Sequence, residues 1–151
     1  MKNLLLPYPL KFVGLILLIS GFGFAVAYIW FDFQLRMPVF AVYSAFIETK
    51  TFATFPTNVA DELILILLLS GFSLLIFTRE KNEELIPEIL RLKALALAFL
   101  VNTGLLLFSV LFVYGSGFVA ILVFNIISLP VFYLIIFYIL KKKLNVNQKA
   151  S

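Results

Sequence analysis

The sequence predicts an all-α integral membrane protein: a four-helix transmembrane bundle with a short helix in the outer interface. Three observations carry this. The 151 residues are 63% hydrophobic and only 13% charged, with a mean hydropathy of +1.10. A soluble domain is about half apolar and about a quarter charged, so a water-soluble fold is excluded. Three uncharged apolar runs punctuate the chain, and the last is long enough for two crossings. Lys and Arg fall alternately between them, as an even number of spans requires. At this length the prior is a single domain.

The first span is Phe12 to Phe31, closed by Tyr28, Trp30 and Phe31, residues suited to the membrane–water interface. The second is shorter, Leu63 to Thr78, and reaches across when it starts near Ala60 or Asp61, giving 61–78. Ala94 to Leu140 is 47 residues without a charge. As one helix it would measure roughly 70 Å, about twice the hydrocarbon thickness. It must turn back, and Tyr114-Gly115-Ser116-Gly117 supplies the freedom for a tight turn. Spans 94–114 and 117–140 result. An outer loop, 32–60, a cytoplasmic loop, 79–93, and a tail, 141–151, complete the layout.

Orientation follows from the basic residues. Lys2, Lys11, Arg79, Lys81, Arg91, Lys93, Lys141, Lys142, Lys143 and Lys149 fall on one side, and Arg36 and Lys50 on the other. The positive-inside rule puts both termini in the cytoplasm of a bacterial inner-membrane protein. Lys2, Lys11 and Ala25-Val26-Ala27 imitate a signal peptide. The run continues apolar through Phe31, however, and the first helix is read as uncleaved.

In the outer loop Val39, Phe40, Val42, Tyr43, Phe46 and Ile47 recur at spacings of three and four, with Pro38 placed to open a helix. This is the expected interfacial helix, a lid on the bundle or the lining of a lipid or ligand entrance. Thr57 or Asn58 then caps the second span, and Asp61 and Glu62 sit in its first turn, where the helix dipole favours acids. The alternative for that pair is a cation site at the outer mouth.

Arg79 to Lys93 interleaves Glu80, Glu83, Glu84 and Glu88 with Arg79, Lys81, Arg91 and Lys93. Pro87 fits a helix start, and Glu88 and Arg91 make an i,i+3 pair. The segment reads as a solvated helix entry or as a partner-docking surface through Glu80, Glu83, Glu84, Glu88 and Arg91.

No Asp, Glu, Lys, Arg or His lies inside the apolar stretch of a span, and proton relays and ion pathways usually need one. The intramembrane polar groups are neutral: Ser20 and Ser70 beside Gly21 and Gly71, Asn102, then Asn125 and Ser128 ahead of Pro130. They form a packing belt of small and amide groups, or else a solute site. Helices one and two share a phrase, Ile16-Leu17-Leu18-Ile19-Ser20-Gly21-Phe22 and Ile66-Leu67-Leu68-Leu69-Ser70-Gly71-Phe72, read as biased composition first and an inverted repeat second.

The chain has no Cys and no His. That removes disulfides, thiolate chemistry and the commonest base and metal ligand. No phosphate loop, nucleophile elbow or zinc motif occurs. No catalytic, cofactor-binding or metal residue is assigned, and no cofactor is expected. The charges border apolar runs and form no track for a nucleic acid. An enzyme would have to use Asp32, Glu48, Asp61 or Glu62 at the outer face.

Thr57-Asn58 with Asp61-Glu62, then Thr78-Arg79-Glu80-Lys81, then Leu90-Arg91-Leu92 running on to Asn102 and Tyr114-Gly115-Ser116 resembles a group of uncharacterised small four-helix membrane proteins from Bacteroidota. Some are encoded beside small helix-turn-helix regulators. The resemblance covers residues 57 to 118 and contains no catalytic element. It implies four helices and a link to a cytoplasmic regulator, and no activity.

The expected function is therefore a non-enzymatic membrane module, a sensor or accessory subunit. Its partners are the lipid bilayer and a protein at the cytoplasmic face. The alternative is a small homo-oligomeric transporter or channel for a neutral or lipid-like solute.

Overall fold

A computed structural model describes residues 5–45, 49–81 and 83–150. The elements are α1 (Leu10–Phe31), β1 (Arg36–Ala45), β2 (Thr49–Asn58), α2 (Ala60–Phe77), a 3₁₀ turn (Glu83–Leu85), α3 (Glu88–Phe112) and α4 (Ser116–Ala150). Four helices are long and apolar enough to cross a membrane: Leu10–Phe31, Ala60–Phe77, Glu88–Phe112 and Gly117–Leu144. At most 22% of each apolar stretch is buried inside the chain. Their outer surfaces are thus apolar and bare, the arrangement lipid tolerates and water does not. Two compact units divide the chain, Met1–Leu15 with Gly71–Ser151, and Ile16–Ser70.

The expected interfacial helix is not there. Residues 36–45 and 49–58 form an antiparallel two-stranded sheet, with Arg36 opposite Asn58 and Ala45 opposite Thr49. The reason lies in composition. Val39, Phe40 and Tyr43 pair with Phe55, Thr54 and Thr51, and β-branched and aromatic residues suit a pleated, half-buried surface. A short apolar run fits either period, and only the partner strand decides it. Accordingly Val39, Ala41, Ala53 and Phe55 are half-buried, while Phe40, Val42, Phe52 and Thr54 are exposed. Pro38 and Pro56 face each other on edge strands, where a missing N–H is tolerated. Phe46 and Ile47, the end of the expected helix, lie outside the described residues.

Within the unit Ile16–Ser70, Asp32 ends α1 at φ +49°, a left-handed stop that Asp accepts better than most residues. Phe33 then turns its ring to Phe24, 6.1 Å away. At the hairpin base Asn58 Oδ1 accepts from Leu35 N (2.9 Å) and from Ala60 N (3.2 Å), and Val59 N donates to the Leu35 carbonyl. Asn58 thus caps the first turn of α2. Gly21 makes a close helix approach possible. A Cβ there would stand 2.9 Å from Leu68 Cδ2 and 3.2 Å from Leu67 Cβ.

In the other unit, α3 and α4 form the expected hairpin. Gly115 takes φ +71°, which explains the glycine at that turn. Leu90, Arg91, Ala94, Ala98 and Asn102 are the buried face of α3. Ala94 and Ala98, fully buried, admit the rings of Tyr133 and Phe137 from α4, the close packing that small residues allow in membranes. Pro130 lies inside α4, which continues through it.

Candidate functional site

The α3–α4 seam holds a polar knot. Asn102 Nδ2 donates to Asn125 Oδ1 at 3.1 Å, and Asn125 Nδ2 donates to the Asn102 carbonyl at 3.4 Å. Ser128, 6% exposed, donates its hydroxyl hydrogen to Asn102 Oδ1 at 2.5 Å. Three of the five intramembrane candidates therefore meet. Ser20 and Ser70 belong to the other unit, where the Ser70 hydroxyl turns back to the Ile66 and Leu67 carbonyls. Each amide NH₂ has two hydrogens, and the bonds between the two amides use one of each. Beside the knot a groove of about 190 Å³ is lined by Leu105, Leu106, Ser109, Ile121, Phe124, Asn125 and Ser128. Its surface is apolar apart from the amide and the hydroxyls, and the Ser109 hydroxyl donates to the Leu105 carbonyl.

The charged segment behaves differently from a solvated link. Arg91 is 3% exposed. Its Nε and Nη2 fork onto Glu83 at 2.9 and 2.8 Å. Nη1 donates to the Ile76 carbonyl, Nη2 to that of Thr78, and the guanidinium carbon stands 4.9 Å over the Phe137 ring. One side chain thus ties the end of α2, the 3₁₀ turn and α4 to α3. Pro87, with an extended backbone, is the N-cap of α3, one position ahead of the first-turn site.

Glu80 is the second tie. Its carboxylate receives Lys11 from α1 and Lys141 from α4, the latter at 2.8 Å. The chain before α1 is fixed too: Leu6 N donates to the Phe77 carbonyl and Arg79 N to that of Leu6. Burial by itself would raise the Glu80 carboxyl. The two ammonium groups offset this and hold it below the usual carboxylate range. Burial likewise opposes ionisation of Glu83, and the Arg91 guanidinium with the Glu80 N–H overcomes it and lowers that group as well. Of the docking candidates, Glu80, Glu83 and Arg91 are held by these contacts, and Glu88 too has an interaction within the chain. Lys81, Glu84, Glu88, Lys142 and Lys143 are exposed.

Among the described residues no group of three or more acids is placed to hold a metal ion. No family model matches the chain, and neither a curated protein nor a solved structure matches it. The two ties spanning 69 and 61 residues have no local signature. The four-residue spacing Leu90, Ala94, Ala98, Asn102 does, and it marks the packed face of α3.

Proposed function

We propose that this chain is a non-enzymatic multi-pass protein of a bacterial inner membrane, a sensor or accessory subunit that docks a partner at its cytoplasmic face. The four apolar helices form a bundle with both termini inside. One observation carries the reading: the Arg79–Lys93 segment is built as a fixed platform. A bare connection needs no buried arginine, because burying a charge is costly unless it is fully paired. Here Arg91 and Glu80 hold the segment in one shape and leave Lys81, Glu84, Lys142 and Lys143 outward. The Lys11–Glu80–Lys141 tie supports a common side for the starts of α1 and α3 and the ends of α2 and α4, in keeping with positive-inside counting. The resemblance to small Bacteroidota membrane proteins points to a cytoplasmic regulator as the partner, so the chain itself touches no nucleic acid.

The test is purification in mild detergent from its native membrane, with the wild type beside a Lys81→Glu, Glu84→Lys, Lys142→Glu variant. A stoichiometric partner recovered with the wild type and lost with the variant supports the reading. A homo-oligomer alone turns it toward the second reading, a transporter or channel for a neutral or lipid-like solute. The groove beside Asn125 and Ser128 favours that alternative.

A further inference from the structure

The β1–β2 hairpin has one half-buried face, with Val39, Ala41, Ala53 and Phe55, and one open face. On the open face Phe40 is 60%, Val42 59% and Phe52 72% exposed, and the Phe40 and Phe52 rings lie 6.4 Å apart. A lone two-stranded ribbon is marginal in water, and bare aromatics make it more so.

What covers the open face follows from how the hairpin is tethered. Four residues separate it from α1 and one from α2, and Asn58 clasps its base to both flanking segments. The end of α1 beside it presents Ile29, Trp30 and Phe31 at 74%, 80% and 78% exposure, the side chains of a headgroup-level belt. Ten-residue strands measure roughly 33 Å, enough to cross the hydrocarbon. Their outer edges, however, carry unpaired N–H and C=O groups that hydrocarbon cannot satisfy. Lying flat in the interface satisfies both demands: edges in water, open face in lipid. Charge agrees. Arg36 and Lys50 are the charged residues of the two strands, with Glu48 alone between them, a balance that suits phosphate headgroups.

We propose that the hairpin is a lipid-binding element lying in the membrane interface, with Phe40, Val42 and Phe52 seated among phospholipid headgroups and upper acyl chains. This stands apart from the partner platform, which it neither needs nor supports.

Trp30 is the single tryptophan, so the Trp30→Phe chain can carry Phe40→Trp or Phe52→Trp as a sole reporter. Each is reconstituted in phosphatidylcholine vesicles containing lipid brominated either high or low on its acyl chains. The expected result is blue-shifted emission that is largely lost with the high bromines and mostly kept with the low ones, as for groups about 5–10 Å into the headgroup boundary. Water-like, unquenched emission overturns the proposal. So does blue-shifted emission that neither lipid quenches, because a protein surface then covers the face. The wild type gives an independent reading in vesicles holding a phospholipid with a diazirine near its ester carbonyls. Photo-adducts on Phe40, Val42 and Phe52 are expected, and adducts confined to the helices overturn the proposal.

Discussion

Asn102 and Asn125 exchange hydrogen bonds across the α3–α4 seam, and the Ser128 hydroxyl meets the first of them. Replacing either Asn by Leu should loosen the α3–α4 packing by about 0.5–2 kcal/mol, the scale of interhelical hydrogen bonds in membranes. The double replacement should be less than additive, because each single change already breaks the same pair and orphans the other member of it. Steric-trap or detergent unfolding of all three variants measures this. Additive losses would show that the two amides act independently.

Arg91 should be costly to remove. Arg91→Leu leaves Glu83 buried without its cation and frees the Ile76 and Thr78 carbonyls, a loss of about 3–5 kcal/mol. Arg91→Lys should recover part of it, since one ammonium cannot repeat the fork. Thermal unfolding in one detergent ranks the three. An Arg91→Leu protein as stable as the parent would remove the basis for a fixed platform.

Acid should loosen the same end of the molecule. Glu80 and Glu83 are both held below the usual carboxylate range in the folded chain. Their stabilisation is therefore complete above the unfolded value of about 4.3 and is lost as pH falls below it through the folded values. Hydrogen exchange across 78–91 should be flat from neutral pH to about 5, after correction for the intrinsic rate, and accelerate below about 4.3. Glu80→Gln should remove part of that acid response. A loosening centred near neutral pH would contradict the assignment.

The two α1 glycines at positions 14 and 23 should respond oppositely to alanine. A Cβ on Gly14 would meet Leu74 Cβ at 2.9 Å and the Gly71 carbonyl oxygen at 3.0 Å, whereas one on Gly23 meets nothing within 4 Å. Gly14→Ala should cost about 1–3 kcal/mol, as overpacking does, and Gly23→Ala should be neutral or slightly stabilising. Equal effects on unfolding would mean that α1 does not approach α2 as closely as the structure has it.

The helices were legible because length and charge asymmetry are summed over many residues, and the turn at Gly115 because a positive φ asks for glycine. The hairpin was not, because Val39 to Tyr43 satisfy both periods and the strand that settles the matter, 49–58, has no strong pattern of its own. The Asn102–Asn125–Ser128 knot could be anticipated from depth along the helices. The Lys11–Glu80–Lys141 tie could not: topology put these three on one side, and only packing chose which acid meets which base. The glutamates of 79–93 could be recognised as surplus to orientation, but two of them act inside the chain.

The topology makes the last prediction. Lys11, Glu80 and Lys141 meet, so the beginning of α1, the connection from α2 to α3 and the end of the membrane part of α4 share one side. Thr51, exposed on β2, follows α1 and precedes α2 in the chain, which puts it on the other side if α1 crosses. Basic residues crowd the first side, and positive-inside counting predicts that it is the cytoplasmic one. The chain has no cysteine, so single Cys residues report cleanly. Cys introduced by Thr51→Cys should react with an impermeant maleimide added to intact spheroplasts. Cys introduced by Lys143→Cys or Glu84→Cys should react only after the membrane is opened. Labelling at Thr51→Cys only after opening, with the other two reactive from outside, would invert the orientation and place the charged platform outside the cell. Labelling of all three from one side would mean that α1 does not cross, and the four-span layout would fall.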